Sequence, residues 1–181
     1  MSWKETVTIM ELWDIYDIDR MPTGKTAERG NALSDGEYHA VIHVCIFNSE
    51  GKMLIQQRQS TKKGWPDYWD VSCGGCCIAG ETTRDAAHRE LFEELGIDVD
   101  FSALRCSLTM NFDHGFDDFF ILNRDMDISG LTLQQEEVQA VKWASMDEIF
   151  RMIDDGTFLP FFKSFLQLIF DIRHKPDCFD L

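Results

Sequence analysis

The sequence lacks any run of about eighteen or more apolar residues, the length that a membrane-spanning helix needs. Its N-terminus, MSWKETVTIMELWD, also lacks the basic region followed by an apolar one that is typical of a secretory signal. We therefore expect a cytoplasmic protein with no membrane partner. In that compartment the six cysteines are expected to be reduced thiols rather than a disulfide framework.

Positive charge is scarce, since 17 lysines and arginines stand against 32 aspartates and glutamates, for a formal net charge of −15. A nucleic-acid polymer is bound through basic side chains that displace counterions from its phosphates, so no such partner is expected. A small phosphorylated ligand stays open, because a divalent cation held by acidic side chains would neutralise its phosphates locally. Much of the acidity is also typical of an ordinary solvated surface.

Internal repeats, low-complexity tracts and linkers are absent from the sequence too. A length of 181 residues with 44% hydrophobic content suffices for one core, so we predict a single domain over residues 1–181. Strand-like and helix-like segments intermix along the chain. This pattern indicates an α/β (α+β) fold in which helices pack on a mixed sheet.

Hydrophobic periodicity and turn residues divide the chain into elements. Residues 17–37 are predicted to form a loop, because they contain turn residues and no hydrophobic period. A helix predicted at 158–172 is apolar on most of its circumference, which is typical of a helix in the core or at a homodimer interface. The other predictions are strands at 11–16, 38–47, 53–58, 97–112, 117–124 and 138–145, a short segment at 71–75, and helices at 83–95 and 146–156.

The helix at 83–95 has clear start and stop signals. Thr82 is a plausible N-cap with Asp85 three positions later, apolar residues then recur every four positions, and Gly96 offers the C-terminal stop. Glu90, Glu93 and Glu94 fall within about 100° of one another on its surface, so their carboxylates can converge. Hard oxygen ligands on a rigid helix suit Mg²⁺, with Mn²⁺ as an alternative. Taken alone, this helix face is more typical of solvated acidic residues than of a metal site.

The residues before the helix extend this pattern. Gly75 is followed by five residues, then Glu81, then seven residues, and then RELFEELGI at 89–97. Residues 75–97 thus resemble the motif of the Nudix hydrolase family at every specified position. The resemblance implies a Nudix-type α/β/α sandwich. It also implies a metal-dependent pyrophosphohydrolase that cleaves a diphosphate linked to an organic group, such as a nucleoside diphosphate derivative.

The same resemblance assigns roles to motif residues. Arg89 pairs with Glu81 and holds the loop against the helix, while Gly80 permits the tight loop and Gly96 ends the helix. Glu90 and Glu94, with Arg89, belong to the catalytic group, and Glu90 lies nearest the attacking water. The implied metal ligands are Glu90, Glu93, Glu94 and the carbonyl of Gly75.

Nudix enzymes commonly recruit another acid from outside the motif, as base or extra ligand. Glu137, or its neighbour Glu136, just before a predicted strand, resembles that position, so Glu137 is predicted to be catalytic. Asp117 and Asp118 are rivals for this role. For each of these acids, simple exposure to solvent is the alternative.

Basic and aromatic residues ahead of the motif are candidates for substrate binding. Arg58, Lys62 and Lys63 are predicted to contact phosphates, and the alternative is that they are exposed charges on a strand end and loop. Trp65 and Trp69 would stack on a base or cover an isoprenoid tail. Packing of their loop onto the core is at least as plausible.

A second resemblance covers residues 37–97 more loosely. KKGWPDYW and CGG are similar to segments of the isopentenyl-diphosphate isomerases, a branch of the same superfamily, with Cys73 where those enzymes hold a catalytic cysteine and His39 where they hold a metal-binding histidine. Gly75, however, stands where the isomerases have a histidine. An isomerase that uses Cys73 is therefore the alternative function, and a non-catalytic nucleotide-binding module is a third.

Overall fold

The computed structural model describes residues 11–175. Most predicted elements are confirmed, with shifts at their ends. The strands are β1 (Leu12–Tyr16), β2 (Pro22–Glu28), β3 (His39–Phe47), β4 (Met53–Arg58), β5 (Trp69–Asp70), β6 (Cys73–Cys76), β7 (Leu108–Phe112), β8 (Gly115–Asn123) and β9 (Val138–Ala144). The helices are α1 (Thr83–Leu95), α2 (Met146–Asp154) and α3 (Lys163–Asp171), with a short 3₁₀ turn at Ile128–Gly130.

Seven of these strands form one mixed sheet, in the order β5-β4-β3-β8-β7 with β6 added to β3 and β9 added to β4. The pair β3/β8 is parallel and the other pairs are antiparallel. Because β3 is flanked by β6 and β8, it is a central strand, which explains its nearly continuous run of apolar residues.

Side chains alternate along β3 between two cores. Ile42 and Val44 point to one face, where they pack with Leu91 of α1. Cys45 and Phe47 point to the other face, where α2 and α3 cover the sheet. The sheet therefore lies between two helical layers, and the predicted α/β/α sandwich with a mixed central sheet is confirmed.

The helix predicted at 158–172 is shorter than expected. Phe158 bridges Trp69 as an extended residue, and Leu159 donates its N–H to the Trp69 carbonyl at 2.8 Å. Pro160 disfavours a helical residue before it, so α3 starts only at Lys163. The helix buries its apolar side against the sheet, while Phe162, just before it, is 83% exposed. A homodimer through this face stays a prediction.

Two other predictions were wrong in part. Residues 17–37 were predicted to be a loop, but β2 pairs with β1 as a hairpin. Its residues are almost all exposed and so carry no apolar alternation. Residues 97–107 were predicted to belong to a strand, yet the strand begins at Leu108, and Phe101 instead inserts into the core beside α1.

No helix within residues 11–175 is long and apolar enough to cross a membrane. The five cysteines in this range are free thiols, and Cys178 lies outside the described residues.

Candidate active site

Helix α1 is fixed at both ends by its own sequence. Thr82 accepts a hydrogen bond from the Asp85 backbone N–H at 3.3 Å, and Asp85 accepts one from the Thr82 N–H at 2.9 Å, which completes a capping box. At the other end Gly96 adopts a left-handed conformation with φ 68° and donates to the Phe92 carbonyl at 2.9 Å. Buried Leu91 fixes the rotation of the helix on the sheet, so the three glutamates keep defined directions.

Strand β6 brings the backbone of Gly75 against the helix. Gly75 pairs with Ile42 of β3. A Cβ at position 75 would overlap the Glu90 carboxylate at a distance that real Cβ atoms do not show. A larger residue at position 75 would therefore require the Glu90 side chain to move.

Arg89 is the electrostatic centre of the loop and helix. Its guanidinium donates to both oxygens of Glu81, at 2.6 and 2.9 Å, and to the Cys76 carbonyl at 3.1 Å. It also lies 2.9 Å from Glu90 and 3.3 Å from Glu93. The hydrogen bonds to Glu81 are the main reason that the pKa of Arg89 is raised. The structure thus places Arg89 on Glu81, as predicted, and adds two glutamates to its partners.

Gly80 supports the loop from the other side. Its backbone has φ 89°, in the left-handed region, and its N–H donates to Asp14 of β1 at 2.7 Å. Glu81 also accepts a hydrogen bond from the Ile78 backbone at 3.1 Å. The loop between β6 and α1 is therefore held at both sides.

Glu94 is the most enclosed of the three glutamates, with 6% of its surface exposed. Gln56 of β4 donates to its Oε2 at 2.9 Å. Burial, helped by the negative charge of Glu90, raises the pKa of Glu94 to about 7. The pKa of Glu90 is also raised, again chiefly by burial, with Arg89 opposing the shift. These two carboxylates favour a cation more strongly than exposed acids would.

Cys73 lies behind this pair, fully buried. Burial and the charges of Glu94 and Glu90 raise the pKa of its thiol well above the usual range. Cys73 is therefore a neutral thiol hydrogen-bonded to Glu94 rather than a reactive thiolate.

The predicted metal ligands are near one another but are not arranged around a common point. Within residues 11–175, no three histidine, cysteine or acidic side chains form a ready metal cluster. Glu90 and Glu93 instead lie against the Arg89 guanidinium. The donor set still fits Mg²⁺ or Mn²⁺, because carboxylate and carbonyl oxygens are the ligands these ions prefer. Glu93, whose side chain is half exposed, has room to turn away from Arg89.

Glu137, the predicted acid outside the motif, lies in the loop that leads into β9. Its loop is tied to the helix where Gln134 donates its backbone N–H to the Glu94 carbonyl at 3.0 Å. The charge of Glu137 contributes to the raised pKa of Glu94, and Lys62 forms an ion pair with its carboxylate. The neighbouring Glu136 is exposed.

The rival acids are engaged elsewhere, on β8. Asp117 contacts the His43 ring at 2.7 Å. Asp118 is bound by Arg20 at 2.5 Å and Thr109 at 2.6 Å. Although burial opposes its ionisation, these hydrogen bonds hold the pKa of Asp118 below its usual value. Both aspartates therefore have structural partners and do not join the glutamates of α1.

The predicted substrate-binding residues have mixed surroundings. Arg58 is fastened to the Gly64 carbonyl at 3.1 Å and lies 3.4 Å from Asp70. Lys62 is held by Glu137, whereas Lys63 is exposed. The Trp69 ring is half-buried under the Lys142 ammonium at 4.9 Å.

Trp65, on the same loop, is 47% exposed and packs edge-on against Tyr68. Trp69 therefore packs in the sheet, and Trp65 and Lys63 remain accessible from solvent.

His39, which stands where the isomerases hold a metal-binding histidine, is buried in a parallel stack with Trp13 at 4.1 Å. Burial lowers its pKa. Two residues near the glutamates were missed from the sequence. Gln56 lies in β4, and the only signal for it was an amide in a strand with buried neighbours. Arg29 follows β2, and its positive charge acts on Glu90, but its segment was predicted to be a loop.

The chain has a mixed sheet between two helical layers, and a glycine-containing loop leads into its acidic helix. These features define a Nudix-type α/β/α protein. The NUDIX domain model matches residues 37–163. The chain belongs to the Nudix hydrolase family.

Curated relatives agree with this family. An uncharacterised Nudix hydrolase of Listeria monocytogenes is 46% identical over 165 residues, which cover 91% of this chain and 96% of that protein. An isopentenyl-diphosphate Delta-isomerase of Pectobacterium atrosepticum is 40% identical over 98 residues, which cover 54% of this chain and 50% of the isomerase. The similarity to the hydrolase therefore spans nearly the whole chain, and that to the isomerase about half.

Solved structures show the same fold. A protein from Deinococcus radiodurans superposes with a TM-score of 0.69 at 23% identity, over 82% of this chain and 91% of that one. A MutT protein from Methanosarcina mazei superposes with a TM-score of 0.56 at 19% identity, over 76% and 96% respectively.

Proposed function

We propose that the protein is a divalent-metal-dependent pyrophosphohydrolase that cleaves a diphosphate linked to an organic group. The observation that carries the proposal is the pair of carboxylates on α1, Glu90 and Glu94, whose pKa values are raised chiefly by burial. They lie beside the Gly75 backbone, which approaches Glu90 closely. The ligand roles of Glu90, Glu93, Glu94 and the Gly75 carbonyl belong to this proposal.

When bound, Mg²⁺ or Mn²⁺ supplies positive charge that offsets the charge developing at phosphorus and lowers the pKa of the attacking water. Glu90, Glu93 and Glu94 would hold the ion from the helix, together with the Gly75 carbonyl. Arg89 keeps the loop and helix together through Glu81. Glu137, oriented by Lys62, accepts the proton from the attacking water.

A cavity with room for an organic group lies on the other face of the sheet, beside α3. Next to Gly75, Gly74 lies so close to the His43 ring that an added Cβ would meet it at 2.9 Å. His43 stacks on Phe119 at 4.7 Å and packs edge-on against Phe161 at 6.0 Å. Both phenylalanines line a cavity of about 570 Å³, a size typical of small-molecule sites.

The test is a screen of nucleoside, sugar, dinucleotide and isoprenoid diphosphates with Mg²⁺ and Mn²⁺. We expect phosphate-containing products from the wild type, and at least a 100-fold lower kcat for Glu94→Gln, because the variant keeps the shape but loses the charge. Glu50→Gln, which changes an exposed acid in the β3–β4 turn, is the matched control. Equal turnover by Glu94→Gln and the wild type would refute the mechanism.

The isomerase function is kept as a second candidate because of the partial identity to an isopentenyl-diphosphate isomerase and the contact of Cys73 with Glu94. Isomerisation in the wild type that is lost in Cys73→Ser and retained in Glu93→Gln would favour it. Tight nucleotide binding with no turnover in either metal would instead indicate a non-catalytic module.

A further inference from the structure

A buried amide lies behind the carboxylates of α1. Gln56 is 2% exposed and is surrounded in β4 by apolar residues that belong to the cores. An amide at such a position costs free energy unless its polar atoms are hydrogen-bonded. A purely structural role would be filled better by an apolar side chain, as at the neighbouring Leu54.

Only one of the two polar atoms of the Gln56 amide has a hydrogen-bond partner among the described residues. Its Nε2 donates to Glu94 Oε2 at 2.9 Å, while its Oε1 is buried and, among the described residues, has no hydrogen-bond partner. The two amide atoms share one carbon and are about 2.2 Å apart, so Oε1 lies within roughly 5 Å of the Glu94 carboxylate. The unsatisfied acceptor is therefore near the Glu94 carboxylate.

The orientation of this amide follows from charge. An ionised Glu94 carboxylate is an acceptor only, so it requires the N–H side of Gln56 and turns Oε1 away from itself. The Cys73 thiol also forms its hydrogen bond with Glu94. Gln56 Oε1 therefore has no hydrogen-bond donor among residues 11–175. Water molecules around a bound divalent cation are strong donors that need acceptors of this kind.

We propose that Gln56 is a positioning residue of the hydrolytic site: its N–H group orients Glu94, and its Oε1 accepts a hydrogen bond from a water molecule in the coordination shell of the metal. The inference rests on the proposed function, since it needs a metal at Glu94. Gln56 does not contact the substrate, so it acts on metal affinity and turnover rather than on substrate binding.

The test replaces Gln56 with methionine, which has a similar length and no hydrogen-bonding amide. Mn²⁺ binding is measured by calorimetric titration without substrate, and kcat and KM are measured on the best diphosphate from the screen. We expect a 10- to 100-fold weaker Mn²⁺ affinity, as for other residues that support metal ligands, with a lower kcat and a KM changed by less than about twofold.

Gln167→Met is the matched control, because Gln167 makes the same kind of amide–carboxylate bond to Asp171 at 2.9 Å on an exposed part of α3. It should bind Mn²⁺ like the wild type. If Gln56→Met does not melt cooperatively, Gln56→Asn is measured instead, and its shorter side chain should weaken Mn²⁺ binding in the same way.

Wild-type Mn²⁺ affinity in a folded Gln56 variant would overturn the inference, as would a loss confined to the melting temperature. Failure of the proposed function is distinguishable, because the wild type would then bind Mn²⁺ and turn over none of the diphosphates.

Discussion

Individual side chains at the site serve more than one neighbour. Arg89 binds Glu81 and the Cys76 carbonyl and also lies against Glu90 and Glu93. Such a partly buried network depends on all its members, because removal of one leaves the others unpaired. The charge of Glu94, farther along the helix, is instead balanced by hydrogen bonds alone. Glu94 is therefore the residue whose ionisation is most sensitive to its surroundings.

We predict that Glu94 makes the metal-free protein less stable as pH rises from about 4.3, the ordinary glutamate pKa, to about 7. Across this window the unfolded chain releases a proton that the folded protein retains, so the unfolded state is increasingly favoured. The unfolding free energy of the wild type minus that of Glu94→Gln should fall by up to about 3 kcal/mol across this window. It should then stay constant above pH 7.

Urea unfolding in EDTA at a series of pH values measures this difference. Glu50→Gln, an exposed acid, should show no such trend. A difference between wild type and Glu94→Gln that is independent of pH would contradict the prediction.

For single residues, the sequence predicts the acidic side chains of the site better than the residues that contact and orient them. Spacing on a helix placed Glu90, Glu93 and Glu94 together, and the motif paired Arg89 with Glu81. Gln56 and Arg29 reach the same region from other strands. Their positions depend on sheet topology, which the local pattern of one sequence does not contain.

Among the elements, the junction of β6 and α1 sets the geometry of the site. Position 75 has little room for a side chain, because a Cβ there would overlap the Glu90 carboxylate. Any side chain at this position must displace either the strand or the carboxylate.

We predict that Gly75→Ala lowers kcat on a diphosphate substrate by at least 100-fold, because the added methyl group moves Glu90 by about 1 Å or more. Gly130→Ala is the matched control, since a Cβ there meets no atom within 4 Å. Steady-state kinetics on both variants, with circular dichroism to confirm folding, measures the effect. Wild-type kcat in Gly75→Ala would show that the close contact has no functional role.

Helices and strands that bury apolar side chains were predicted well from the sequence, and exposed elements were not. Helix α1 and strands β3 and β4 carry clear apolar patterns and were confirmed. Strand β2 is almost wholly exposed and is stabilised by backbone pairing with β1, so composition gave no sign of it. Residues 158–162 are apolar yet extended, because Pro160 and the bridge to Trp69 override their helical pattern.

For the whole molecule, the dominant electrostatic fact is a net charge of −15. Self-repulsion among so many acids opposes the compact state. A divalent cation at the α1 carboxylates would reduce this repulsion where it is concentrated, between buried side chains.

We predict that Mg²⁺ or Mn²⁺ raises the melting temperature relative to EDTA at equal ionic strength. At about 100 times Kd, binding to the folded state contributes about 2.7 kcal/mol, which corresponds to about 5–10 °C for a chain of this size. Thermal melts followed by circular dichroism measure the shift. Glu93→Gln should show a smaller shift, and an equal rise with KCl alone would assign the effect to screening rather than to a bound ion.

Arg89 also has a consequence for how the protein handles its metal. Since the guanidinium already forms ion pairs with Glu90 and Glu93, an ion at these carboxylates would compete with a resident cation. A metal at this site would therefore act as an exchangeable reagent, and not as a permanent structural part.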